Sequence, residues 1–236
     1  MSLNEAAASN RREHLPARVA AALAAAEISP SKLGPARRAS LADSEQELYL
    51  WILRRFAMSG RPSSSEIQEA AAQLGAASEE ALEVLAREDL VHRGRDGEIT
   101  VAYPFSGSPT EHRVRFQSGN EAYSMCAIDA LGVAPMFQEP IEIASRDPLT
   151  AEAIRAQVAP DGSAQWWPES AVVVAGVLDR PGESFRGCCP VLNFFASSGN
   201  AERWLAERPH VRGSVISMPD AIASGRAVFG DVLREE

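Results

Sequence analysis

Leu90-Val91-His92-Arg93-Gly94-Arg95-Asp96-Gly97-Glu98-Ile99-Thr100-Val101-Ala102-Tyr103 is the stretch at which this chain turns from helical to extended patterning. Two short apolar runs flank Asp96-Gly97, a dipeptide that suits a tight hairpin turn. Upstream, Leu48, Trp51, Ile52, Arg55 and Phe56 fall on one helical stripe and predict a helix from Ser44 to near Gly60. Ser63-Ser64-Ser65-Glu66 is a capping box that starts a second helix, which Gly75 stops. A third runs from Ser78 to Glu88 and carries Leu82, Val84 and Leu85. Three short helices followed by a hairpin predict a winged helix-turn-helix-like module over residues 43–105.

Residues 1–42, rich in Ala, Ser, Pro and Arg, read as a loosely attached arm with one helix near Pro16 to Glu27. Pro104 to Pro109 reads as a linker to a second unit over residues 110–236. That unit opens on His112-Arg113-Val114-Arg115-Phe116, whose apolar residues alternate as in a strand. It turns at Ser118-Gly119-Asn120 into a predicted helix from Glu121 to Leu131. Strands are predicted at Ile141 to Ala144, Ala171 to Val177, Val191 to Phe195 and Gly213 to Ser217, with helices at Asn200 to Glu207 and after Pro219. Without regular βαβ alternation, the fold class is α+β.

Charge and hydropathy narrow the partners. With 23 Lys+Arg against 32 Asp+Glu the formal charge is −9, which argues against a whole-protein grip on nucleic acid. The predicted recognition helix carries Glu79, Glu80, Glu83 and Glu88 against Arg87, a face that repels phosphates. No stretch approaches the roughly 20 apolar residues that span a bilayer, and no secretory signal pattern precedes the helices. A cytoplasmic protein without a membrane partner is expected, and 45% hydrophobic content provides for a core.

The chemistry gathers on three cysteines, Cys126 in Met125-Cys126-Ala127-Ile128-Asp129 and the doublet Cys188-Cys189. Reduced thiols in this arrangement suit reactive or metal-binding chemistry better than a disulfide framework. On a helix, residues three apart lie roughly 5 to 6 Å from one another at Cβ, so Cys126 and Asp129 can serve one cavity. A thiolate takes soft metals and a carboxyl group moves a proton. A second thiol from Cys188 or Cys189 would complete a two-sulfur site, and in a strand the two would face opposite sides. Set against this, buried cysteine is often a small hydrophobe, and Asp129 alone reads as a solvated or capping carboxylate. His14, His92, His112 and His210 are scattered and read as surface residues, and no zinc-finger spacing surrounds the thiols. Trp166-Trp167 and Phe194-Phe195 read as core or rim.

Tyr123-Ser124-Met125-Cys126-Ala127-Ile128-Asp129-Ala130-Leu131, taken with Cys188-Cys189-Pro190-Val191-Leu192-Asn193-Phe194-Phe195-Ala196-Ser197 and Ala201-Glu202-Arg203-Trp204, resembles the alkylmercury (organomercurial) lyases. The resemblance runs from about Glu45 to the C-terminus. It implies a catalytic and mercury-binding set of Cys126, Asp129 and Cys188, in which thiolates take the mercury and a proton goes to the departing carbon. It also implies an organomercury small molecule as substrate, no organic cofactor, external thiols as co-reactants, Hg(II) as bound product and a mercuric reductase as its acceptor. Ser145-Arg146-Asp147-Pro148 stands where the family often has a further cysteine, Met125 replaces an aromatic and Pro190 a histidine. The alternatives are a winged-helix regulator or a sequestering protein that binds a thiophilic metal through the same cysteines, or a relative acting on another substrate.

Overall fold

The first described helix, α1 (Asp43–Ser59), places Asp43 and Glu45 in its first turn and ends at Gly60, whose φ of 84° lies in the region open to glycine. The computed structural model describes residues 38–179, 183–230 and 232–233, with residues 17, 20 and 21 before them. The arm read at 1–42 thus lies mostly outside the described residues. In α2 (Ser64–Gln73) the capping box forms as read: Ser63 Oγ accepts from Glu66 N, and Glu66 accepts from Ser63 N. With α3 (Ser78–Arg87), these helices bury Leu48, Ile52, Phe56, Ile67, Leu82 and Leu85 against one another.

The hairpin follows as β1 (Val91–Arg93) and β2 (Ile99–Ala102). The segment read as a linker carries β3 (Phe105–Ser106), hydrogen-bonded on one side to β2 and on the other to β5 (Glu121–Ser124). Phe105 explains the difference. Fully buried, it stacks on Phe56 of α1 at 5.6 Å and approaches Phe137 at 6.0 Å, so one apolar core runs from the helices into the sheet. The remaining strands are β4 (Arg113–Phe116), β6 (Ile141–Arg146), β7 (Ala153–Val158) and β8 (Ala164–Trp167). Together they form an eight-stranded antiparallel sheet in the order β1-β2-β3-β5-β4-β6-β7-β8.

A second antiparallel sheet has the order β10-β9-β11, from β9 (Val172–Leu178), β10 (Phe194–Phe195) and β11 (Val211–Ser217). Helix α4 (Ala127–Phe137) is buried over most of its length. The short α5 (Ser184–Gly187) precedes the cysteine doublet, and α6 (Ser198–Ala206) covers Val174 and Phe195 with Trp204. Helix α7 (Met218–Phe229) crosses α4 closely at Gly132 and Gly225. A Cβ on Gly225 would lie 2.7 Å from Gly132 N and 2.9 Å from Ile128 O. The architecture is α+β, as the missing βαβ alternation predicts. Among the described residues no helix is long and apolar enough to cross a membrane.

Candidate active site

The predicted helix from Glu121 to Leu131 is two elements. Glu121 to Ser124 form β5, because Ala122 and Ser124 alternate inward and pair with β4 and β3; the helix begins only at Ala127. Cys126 is therefore the N-cap, with extended φ and ψ of −156° and 178°, and its Sγ accepts from Asp129 N at 3.4 Å. Neighbouring loops lock this junction from both sides. Met125 N donates to Pro104 O at 3.0 Å and Ala127 N to Leu192 O at 2.8 Å. Asp129 stands in the first turn of α4, 6% exposed.

The doublet sits at the end of α5 rather than in a strand; only Phe194 and Phe195 of the predicted strand are extended. Cys188 N and Cys189 N both donate to Ser184 O at 3.0 Å, and Cys188 caps the helix with Sγ donating to the same carbonyl at 3.4 Å. Cys189 follows it, its thiol in hydrogen-bond contact with that of Cys188. Its Sγ donates to Asp129 Oδ2 at 3.9 Å, and single ligand atoms of Cys126, Asp129 and Cys189 all lie within 4.8 Å of one another. The resemblance put the second thiol on Cys188. The structure brings Cys189 to Cys126 and Asp129, with the Cys188 thiol hydrogen-bonded beside it in the doublet.

Electrostatics keeps the two thiols protonated. Burial pushes the Cys126 thiol up to about 12; the Asp129 carboxylate adds to the rise, while hydrogen bonds from Cys189 and the Asp129 backbone oppose it. Hydrogen bonding to Cys126 and Cys188, and burial, hold the Cys189 thiol well above the ordinary range. The helix N-terminus that Cys126 caps therefore does not outweigh desolvation. Burial first, and then the nearby Cys189, Asp89 and Asp129, raise the Tyr103 hydroxyl far above a free phenol, so a protonated Tyr103 stands beside the thiols.

Three residues around this group escaped the sequence reading. His112, read as a surface residue, is 3% exposed: its Nε2 lies 3.2 Å from Asn193 Oδ1 and its Nδ1 3.0 Å from Ser145 Oγ. Burial lowers its pKa to about 4, so the ring is neutral, with Nε2–H donating to Asn193 and Nδ1 accepting from Ser145. Asn193 in turn donates to Pro190 O at 2.9 Å and shapes the loop after the doublet. Asp147, 1% exposed, accepts from Leu149 N, Thr150 N, Ala196 N and Asn200 Nδ2 and ties β6 to α6. Tyr103 continues the inward alternation of Ile99 and Val101, and His112 that of Val114 and Phe116, so the period-two pattern marks both as inward-facing.

The geometry can be set beside known proteins. Residues 105–230 match the family described as Alkylmercury lyase. The Alkylmercury lyase of Staphylococcus epidermidis is 30% identical over 160 residues, 68% of this chain and 72% of that protein. That of Bacillus cereus is 30% identical over 177 residues, 75% of this chain and 79% of that protein. A solved structure, the mercury-bound form of MerB2, superposes with a TM-score of 0.68 at 21% identity, over 84% of this chain and 95% of that one, a likeness of fold. With a family pattern over 105–230 and relatives at 30% identity, the chain belongs to the alkylmercury lyase family and is an enzyme of the carbon–mercury lyase class.

Proposed function

We propose that this enzyme cleaves the carbon–mercury bond of an organomercurial at Cys126, Asp129 and Cys189, releasing a hydrocarbon and leaving Hg(II) on the two sulfurs. The observation that carries the reading is the buried group of two thiols and a carboxyl whose ligand atoms lie within 4.8 Å. Mercury bound by Cys126 displaces that thiol's proton, which leaves with the substrate's counter-anion. Cys189 then passes its proton along the 3.9 Å contact to Asp129 as its sulfur joins the metal. Asp129 delivers the proton to carbon, the carbon–mercury electron pair forms the new C–H bond, and Asp129 returns to the carboxylate. Two thiol protons enter and two leave. Raised by burial at Cys126 and by hydrogen bonding to Cys126 and Cys188, with burial, at Cys189, both thiols carry those protons to the site at neutral pH.

No organic cofactor enters this scheme, and thiols from solution would lift Hg(II) away, with a mercuric reductase as the acceptor the family implies. Three cysteines in the thiol form suit a cytoplasmic location. Residues 43–105 are proposed as a winged-helix-like module and 110–236 as the catalytic unit, on the order of three helices and a hairpin before β3. A DNA-binding role draws no support from the wing: its Arg93 is paired with Glu79 at 2.9 Å. The test is headspace detection of benzene from phenylmercury with excess thiol, beside a Cys126→Ser variant. Many turnovers by the unmodified protein and none by the variant bear the reading out. Mercury retained without benzene would overturn it in favour of sequestration.

A further inference from the structure

A two-sulfur mercury site uses Cys126 and one thiol of the doublet, and whichever of the two that is, the other thiol stays outside the reaction. The three sulfurs nevertheless form one connected group. The Cys189 thiol is in hydrogen-bond contact with that of Cys126 on one side and that of Cys188 on the other, and all three residues are buried. The backbone around them is a single hydrogen-bonded unit. Val191 N at 2.8 Å and Leu192 N at 3.1 Å donate to Cys188 O, and Leu192 O accepts from Ala127 N, next to Cys126. At its other end the loop is tied down by Asp89, whose Oδ2 accepts from Ser184 Oγ at 2.6 Å. When the Cys188 thiol gives up its bond to Ser184 O, that carbonyl still accepts the amides of Cys188 and Cys189 and is not left bare.

We infer that Cys126, Cys188 and Cys189 together form a binding site for trivalent arsenic, taken up as arsenous acid. Each thiol condenses with one As–OH group: an S–H bond and an As–O bond break, an As–S bond and an O–H bond form, and water leaves. Three such steps leave arsenic on three sulfurs and release three waters, with no change of oxidation state and no net release of protons. Soft thiolates select soft ions. Burial then selects by charge. Arsenic(III) on three thiolates is neutral, whereas a dication such as Zn(II) on the same three leaves a negative charge buried beside the Asp129 carboxyl group. Because the doublet loop and the β5–α4 junction already hold the sulfurs together, little ordering remains to be done on binding. This site goes beyond the lyase reading and holds for either assignment of the second mercury ligand.

Arsenite added to the reduced full chain, with no other thiol present, is followed by intact mass under non-denaturing conditions and by arsenic X-ray absorption. The expected result is one arsenic per chain in place of three hydrogens, with three sulfur neighbours and no oxygen. Cys126→Ser, Cys188→Ser and Cys189→Ser should each lower the sulfur neighbours to two and weaken retention against a competing dithiol by about a hundredfold. The alanine variant serves at any position where the serine variant does not fold. Unaltered retention in Cys188→Ser or Cys189→Ser would overturn the inference, as would an arsenic that replaces only two hydrogens in the unmodified protein. Zn(II) held by the same three thiols as tightly as arsenic would overturn it too. Benzene release from phenylmercury keeps this test apart from the lyase reading. Where the unmodified protein turns over, saturating arsenite should stop it, and full turnover with the arsenic site filled would contradict the inference. Should no benzene be released at all, the lyase reading fails, while an adduct with three sulfur neighbours still supports the arsenic site.

Discussion

Cys126 is fixed by backbone close to it in sequence, whereas Cys189 stands on a loop fixed by side chains from far away. Around Cys126, a strand runs into a helix, the thiol accepts the amide of Asp129, and α4 is pressed against α7 through two glycines. Around Cys189, the supports are Asp89 on one flank, 100 positions away along the chain, and on the other His112, 77 positions away and acting through Asn193. The first arrangement places a thiol and a carboxyl at a set separation with the chemistry encoded in four residues. The second can be adjusted by changes anywhere in the supports, and that makes the second thiol the adjustable half of the pair.

The largest effect belongs to the rigid half. Asp129→Asn keeps the shape of the first turn but removes the proton carrier; phenylmercury capture should persist while benzene release slows by about 10²- to 10⁴-fold, read by single-turnover kinetics. An unchanged rate would remove Asp129 from the proton path. Gly225→Ala tests the scaffold behind it, because the added methyl meets only backbone at 2.7 to 2.9 Å. Stability should fall by about 1–3 kcal/mol in urea unfolding, and the separation of α4 from α7 would carry into turnover.

The same contrast measures what the sequence reveals. Glu66 and Ser63 of the capping box, the Asp96-Gly97 turn and the stripe of Leu48, Ile52 and Phe56 are local patterns, and each forms the element read from it. Cys126 and Asp129, three apart, are likewise brought together as that spacing implies. Residues 121–124 misled because nothing in Glu121-Ala122-Tyr123-Ser124 forbids a helix; pairing with β4 and β3 decides for a strand. Strands β7 and β8 went unread, although Ile154, Ala156 and Val158 inward against Arg155 and Gln157 outward give β7 the period-two signal of a half-buried strand. Which thiol of the doublet turns inward depends on α5 closing at Cys188, and α5 exists through Ser184 and its distant acceptor. No window around Cys188 and Cys189 contains that information.

Smaller effects follow from pH and sharpen the comparison from each flank. Burial lowers the His112 pKa from 6.5 to about 4, so the unfolded chain binds a proton that the folded one refuses in this window. Stability is therefore present above pH 6.5 and is lost as the pH falls toward 4; melting temperature should drop over that range, and His112→Gln should flatten the drop. On the other flank, burial raises the Cys126 thiol from 9.0 to about 12, so the unfolded chain ionises first. Stability is present below pH 9 and declines as the pH rises toward 12. Cys126→Ala should lessen the decline, and a decline of the same size would place the alkaline sensitivity elsewhere.

The assignment of the second thiol is tested most directly by benzene release from phenylmercury in Cys188→Ser and Cys189→Ser, measured side by side with excess thiol. The account predicts near-full turnover in Cys188→Ser and loss of turnover in Cys189→Ser, because the ligand atom of Cys189 stands within 4.8 Å of those of Cys126 and Asp129. Turnover lost in Cys188→Ser and kept in Cys189→Ser would contradict it.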